Sequence, residues 1–189
     1  MKVVAFSGSA KRNGNTAALI RHVFVPLEAA GHECELVELA GKRVHGCTAC
    51  GKCVEVGDGN CQGVRDFISE ECIPRALAAD AIIIGSPVYF ADVSTETKAL
   101  IDRMGYAGRG HYARKVGAGL VAVRRGGAIH ALDSIQHLFQ YSGMVMVGST
   151  YWNIGIGRAP GEVENDAEGV RTMENLGANM AWILERIHE

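Results

Sequence analysis

The run Ala81-Ile82-Ile83-Ile84-Gly85 is apolar at every position. A strand with one face in water alternates; a strand apolar throughout must be covered on both faces, which is the habit of parallel sheets layered between helices. Other strand-length apolar runs lie at Val3–Ser7, about Cys34 to Leu39, Ala118–Val123 and Met144–Val147. Helical patterns separate them. One runs through Thr16, Ile20, Val23 and Leu27 and stops at Gly31. Others span about Val64 to Ala79, Ser94 to Met104 and Ala128–Tyr141, and a long amphipathic pattern covers Val163 to His188. Strands alternating with helices predict an α/β fold with a doubly wound five-stranded parallel sheet. Five strands rather than six favour the flavodoxin-like order 2-1-3-4-5, with ligands held at the carboxyl ends of the strands where the order reverses.

The chain has 189 residues, enough for one domain with a sizeable core, and residues 1–189 are expected to form a single domain carrying a cysteine-rich insertion at about 46–63. A formal net charge of −2 gives no reason to expect nucleic acid or an anionic membrane as partner. No apolar run approaches membrane-spanning length. Met1 to Ser7 opens like a strand, without the apolar stretch of a signal peptide. Clustered cysteines without such a signal point to a reducing cytoplasm and to metal or redox use rather than disulfides.

Four of the six cysteines, Cys47, Cys50, Cys53 and Cys61, are spaced C-x2-C-x2-C-x7-C. Such spacing brings thiolates around one centre. An iron–sulfur cluster is the first reading, structural zinc the second, and free or redox-active thiols the third. Gly46 and Gly51 allow tight turns between them. Cys34 and Cys72 lie on a strand and a helix and read as buried small hydrophobes.

The loop after strand one, Gly8-Ser9-Ala10-Lys11-Arg12-Asn13-Gly14-Asn15-Thr16-Ala17, feeds a helix N-terminus and reads as an anion site. Neither the dinucleotide fingerprint nor a P-loop is present. After strand three, Ser86-Pro87-Val88-Tyr89-Phe90 offers a flat apolar support for a planar heteroaromatic group. The basic, glycine-rich stretch Tyr106 to Lys115 is a second place where an anion, such as the extra phosphate of NADPH, would be met, or else a solvated loop. Lys98 and Asp102 are spaced to pair on a helix. No serine stands in a nucleophile-elbow context, so hydrolysis has no support.

Gly8-Ser9…Gly14-Asn15-Thr16, the cysteine run, and Gly85-Ser86-Pro87-Val88-Tyr89-Phe90…Lys98…Asp102-Arg103 together resemble the NADPH-dependent FMN reductase superfamily, and within it the iron–sulfur flavoproteins. The resemblance implies FMN with its phosphate held by Ser9, Arg12, Asn15, Thr16 and Ala17. It implies that Pro87, Val88, Tyr89 and Phe90 line the isoalloxazine, and that a third loop, Arg124-Arg125-Gly126-Gly127, approaches its polar edge. Arg124 or Arg125 there would favour reduced flavin. It implies a [4Fe–4S] cluster on Cys47, Cys50, Cys53 and Cys61, above the same sheet edge as the flavin. NAD(P)H or a ferredoxin-like protein is the implied donor, a homodimer or homotetramer the implied assembly, and Trp152 a candidate lid or a packing residue. The chemistry would belong to the flavin, so no catalytic side chain is required. The rivals are a non-enzymatic electron carrier, a cluster-free NAD(P)H:quinone or flavin reductase, and a regulatory or metal-binding module.

Overall fold

A computed structural model describes residues 1–187. Strand β1 (Lys2–Ser7) leads through a turn to helix α1 (Asn15–Ala29) and strand β2 (Glu33–Glu38). A long segment follows, containing the short helix α2 (Lys52–Val56). A π-helical turn at Ile68–Cys72 then runs into α3 (Ile73–Ala78). Strand β3 (Ala81–Pro87), helix α4 (Thr95–Ala107), strand β4 (Val116–Val123) and helix α5 (Ala128–Tyr141) continue the alternation. The chain ends with β5 (Val145–Met146), β6 (Ile154–Ile156), a 3-10 turn at Glu162–Asn165 and α6 (Ala167–Ile187).

The sheet is parallel in the order β2-β1-β3-β4-β5, with β6 also pairing with β4. The expected order is therefore present, and the expected fifth strand is divided. Val145 and Met146 pair with Val116 and Gly117 at the start of β4, whereas Ile154 to Ile156 pair with Val121 to Val123 at its end. Between them the chain leaves the sheet. Asn153 holds the interruption closed, its carboxamide donating to Gly119 O (2.8 Å) and its backbone carbonyl accepting from Val121 N (2.9 Å).

Two cores cover the sheet, one on each face. Val4, Phe6, Ile82, Ile84, Val121 and Val123 pack with Leu100, Met104, Leu132 and Ile135 under α3, α4 and α5. Val3, Ala5, Ile83, Leu120 and Ala122 pack with Leu19, Ile20, Val23, Met173, Leu176 and Met180 under α1 and α6. Successive strand residues go to opposite faces, so both must be apolar where both faces are covered.

The helix expected from Val64 starts instead at Ile68. Asp66 accounts for this: its Oδ1 accepts from Ile68 N (3.0 Å) and Ser69 N (3.3 Å), an N-cap that fixes where helical pairing begins. The last helix begins at Ala167 rather than Val163, and its expected end at His188 lies outside the described residues. Among the described residues, no helix is long and apolar enough to cross a membrane.

Candidate functional site

At the carboxyl edge of the sheet the loops after β1, β3 and β4 surround one cleft. It is lined by Ser9, Lys11, Gly14, Asn15, Thr16, Pro87, Val88, Tyr89, Ala122 and Arg124, together with Gly157, Arg158 and Pro160 from the loop after β6. A buried polar network holds the first two loops in register. The N-cap of α4, Ser94, donates from its hydroxyl to Gly8 O (2.6 Å) and from its backbone to Ser86 Oγ (3.0 Å). Thr97 Oγ1 lies 3.1 Å from Ser86 Oγ, and Gly8 N donates to Gly85 O (2.9 Å). Ser86, Ser94 and Thr97 are fully buried, so these bonds are made in a low-dielectric layer and fix the loops firmly.

The N-terminus of α1 opens on this cleft. Its N-cap, Gly14, has no side chain to cap with, and the first i to i+4 bond is Ala18 N to Gly14 O (3.0 Å). The backbone N–H groups of Asn15, Thr16 and Ala17 are thus the unsatisfied donors every helix start presents. Ser9 Oγ is turned to Lys11 N (3.1 Å). Asn15 is engaged otherwise: its Nδ2 donates to Ala159 O (2.9 Å) and its Oδ1 accepts from Gly161 N (2.8 Å). Arg12 does not line the cleft. It borders a groove along β2 with Glu35, Glu38 and Lys42. The structure therefore brings Ser9, Asn15, Thr16 and the Ala17 backbone together and sets Arg12 apart; Arg158 and Lys11, which carried no site assignment in the sequence, stand in the cleft instead.

On the facing wall, Pro87, Val88 and Tyr89 line the cleft, while Phe90 is fully exposed. Tyr89 N donates to Asp92 O (2.8 Å) and Asp92 N to Tyr89 O (3.1 Å), closing a two-residue turn whose central Phe90 and Ala91 have φ of 48° and 64°. Both central residues at positive φ define a type I′ turn, which aims Phe90 away from the cleft. Arg124 lines the cleft and Arg125 a neighbouring hollow. Gly126 is exposed between them and Gly127, the N-cap of α5, packs against Ala91. Trp152 lies outside the cleft, edge-on to Tyr151 (4.6 Å) over a hollow of about 400 Å³ shared with Ile129, Ile156 and Thr172.

The donor set fits FMN: helix-start backbone N–H groups and the cations Lys11, Arg124 and Arg158 for a phosphate, and a proline–aliphatic–aromatic wall for a flat ring.

The cysteine segment takes an unexpected course. It leaves the carboxyl edge after β2 and descends along α4 to the opposite edge. A Cβ on Gly59 would stand 3.0 Å from both His111 and Leu77, which precede β4 and β3. At Gly59 the segment has thus reached the amino edge rather than staying above the carboxyl edge. Glycines bound α2, with φ of 76° at Gly51 and 71° at Gly57. Cys53 is buried, Cys61 partly buried, and Cys47 and Cys50 exposed. Burial pushes the Cys53 thiol up, and neighbouring Cys61 and Cys47 add to it. The backbone N–H of Lys52 and the Thr48 hydroxyl hold the Cys50 thiol down. Gly63 leaves the space that the Cys50 sulfur fills. Arg103 donates from Nε to Cys61 Sγ (3.3 Å) and from Nη2 to Val64 O (2.7 Å). Four thiols on one segment, one already hydrogen-bonded by a cation, are suitable donors for a cluster. Among the described residues, however, no three Cys, His, Asp or Glu converge as a ready ligand set.

The basic loop before β4 lies at this same amino edge, at the opposite end of the strands from this chain's cleft. Arg109 lies over the Tyr106 ring (4.8 Å), and Lys115 Nζ binds Leu77 O (2.6 Å) and Ala79 O (2.5 Å) at the end of α3. Lys98 and Asp102 do pair.

Residues 1–159 match the family model of NADPH-dependent FMN reductases. An iron–sulfur flavoprotein of Methanocaldococcus jannaschii is 36% identical over 195 residues, covering 99% of each chain. One of Methanosarcina thermophila is 31% identical, covering 100% of this chain and 98% of the other. Among solved structures, a flavodoxin, WrbA-like protein from Agrobacterium tumefaciens superposes with a TM-score of 0.64 at 18% identity, over 98% of this chain and 97% of that one, a likeness of fold.

Proposed function

The chain belongs to the NADPH-dependent FMN reductase family, and from that premise we propose that it is an FMN-dependent oxidoreductase. It takes electrons from NAD(P)H or a ferredoxin-like donor and passes them to a small-molecule or protein acceptor. The observation that carries this reading is the cleft, where an uncapped helix start, the cations Lys11, Arg124 and Arg158 and the Pro87–Tyr89 wall meet at the carboxyl ends of the neighbouring strands β1 and β3, from which the chain leaves to opposite faces of the sheet. FMN, when bound, supplies hydride acceptance and electron transfer. The protein's part is to hold and orient. Ser9, Thr16 and the N–H groups of Asn15, Thr16 and Ala17 bind the phosphate; Pro87, Val88 and Tyr89 support the ring; Arg124, Gly126 and Gly127 border its polar edge.

Cys47, Cys50, Cys53 and Cys61 would hold a [4Fe–4S] cluster, which supplies single-electron steps. The names of the two archaeal relatives and the Arg103–Cys61 hydrogen bond support this. A second reading is a cluster-free reductase, favoured by the exposure of Cys47 and Cys50. Six free thiols fit a reducing cytoplasm. The half-exposed Tyr151–Trp152 pair fits a homodimer or homotetramer.

Anaerobic purification with flavin, iron and zinc counts separates the two readings. Stopped-flow bleaching of bound FMN by NADPH, NADH or a reduced ferredoxin tests the activity. Bleaching by any of them supports it; no bleaching by all three overturns it.

A further inference from the structure

Resting on the flavin reading, we propose that Arg158 is the cation that selects the phosphorylated flavin, and that Asn15 acts as a positioning residue for it by stapling the loop after β6. Five bonds build that loop. Gly157 N donates to Val123 O (2.9 Å) as the chain leaves β6. Glu162 Oε2 accepts from Arg158 N (2.6 Å) and Ala159 N (2.9 Å). Both ends of the Asn15 carboxamide bind the loop backbone, at Ala159 O and Gly161 N. Gly157 admits this closeness, since a Cβ there would stand 2.8 Å from Asn15 Nδ2 and 2.7 Å from Val163 N.

Glu162 is thus occupied by backbone N–H groups; its charge is felt by the Arg158 guanidinium, but its carboxylate is spent on the Arg158 and Ala159 N–H groups. Arg158, held on this stapled loop, lines the cleft on which α1 opens uncapped. Guanidinium and helix N–H groups are complementary to a phosphate dianion. Holding the loop beforehand spares the ligand the cost of ordering it. Arg12, the cation the loop after β1 offers in sequence, faces the β2 groove instead.

The test uses the full chain stripped of flavin and titrated separately with FMN and riboflavin, following quenching of flavin fluorescence. Arg158→Gln is expected to weaken FMN by about tenfold or more and riboflavin by less than about twofold, with Arg158→Lys recovering part of the loss. Asn15→Ala is expected to weaken FMN in the wild-type background and to add little in the Arg158→Gln background, because both act through one guanidinium. Arg158→Gln with an unchanged ratio of FMN to riboflavin affinity overturns the assignment. Full additivity of the two substitutions overturns the positioning role and makes Asn15 an independent ligand. A chain that binds neither flavin overturns the functional reading itself, a result distinct from both.

Discussion

Arg103 and Asp66 form a buried ion pair that joins α4, the cysteine segment and the helix after it. Arg103 Nη1 lies 2.6 Å from Asp66 Oδ1 and 2.7 Å from Oδ2, with side-chain exposures of 0% and 2%. The same nitrogen donates to His45 O (3.2 Å), and Asp66 Oδ2 accepts from His45 N (2.8 Å). Burial alone would lower the Arg103 pKa, yet hydrogen bonds to Asp66 and Cys61 hold it above the ordinary value, so the charge is retained.

Removing one partner strands the other charge in the interior. Arg103→Met is therefore expected to cost about 3–5 kcal/mol in urea unfolding. In the double variant Arg103→Met, Asp66→Asn much of this should return, because no unpaired charge remains. Equal losses in the single and double variants would show that the pair is not the source.

Thiol reactivity should divide the cysteines by position. Cys34 and Cys72 are pushed up by burial to about 12, so they remain protonated and inert at neutral pH. Cys50 is exposed and held below the ordinary thiol value. In metal-free protein a disulfide reagent at pH 8 should label Cys50 first and leave Cys34 and Cys72 unmodified until the protein unfolds. Mass-mapping of early adducts reads the order, and early labelling of Cys72 would contradict it.

The Tyr89–Asp92 turn stores backbone strain. Ala91 sits at φ 64°, where an L side chain costs about 1–2 kcal/mol. Ala91→Gly should raise stability by about 1 kcal/mol. The converse holds at Gly127, with φ 87° and an added Cβ 2.5 Å from Ala91 Cα. Gly127→Ala should cost about 2 kcal/mol or more by thermal or urea melts.

Acid should loosen the Arg158 loop before the sheet. The Ala159 and Arg158 N–H groups hold the Glu162 carboxyl below its ordinary value of 4.5. A depressed folded pKa contributes stability above the unfolded pKa, and that contribution disappears as pH falls through the folded one. Hydrogen exchange at Arg158 and Ala159 should therefore accelerate, relative to strand amides, as pH falls below the ordinary glutamate range and through the depressed Glu162 pKa. In Glu162→Gln the protection should already be reduced at neutral pH and show no such acid step.

The sequence by itself determined what local patterns can carry. Unbroken apolar runs at Ala81–Ile84 and Ala118–Val123 require cover on both faces, and that alone implies a parallel sheet between helical layers. The strand order follows from the count of alternating units, and the glycines at 51 and 57 mark turns that residues with side chains resist. That Ser9, Thr16 and Pro87 to Tyr89 would line one cleft was legible because each adjoins a strand end in its own loop. Tertiary structure decided which distant residues meet. Asn15 bonds to a loop 144 residues later, and Arg103 to an aspartate 37 residues earlier. No periodicity encodes such pairs. They depend on how helices pack across the sheet, and that packing turned Arg12 outward, brought Arg158 in, divided the last strand, and carried the cysteine segment along α4 toward the amino edge, whereas it was expected above the carboxyl edge.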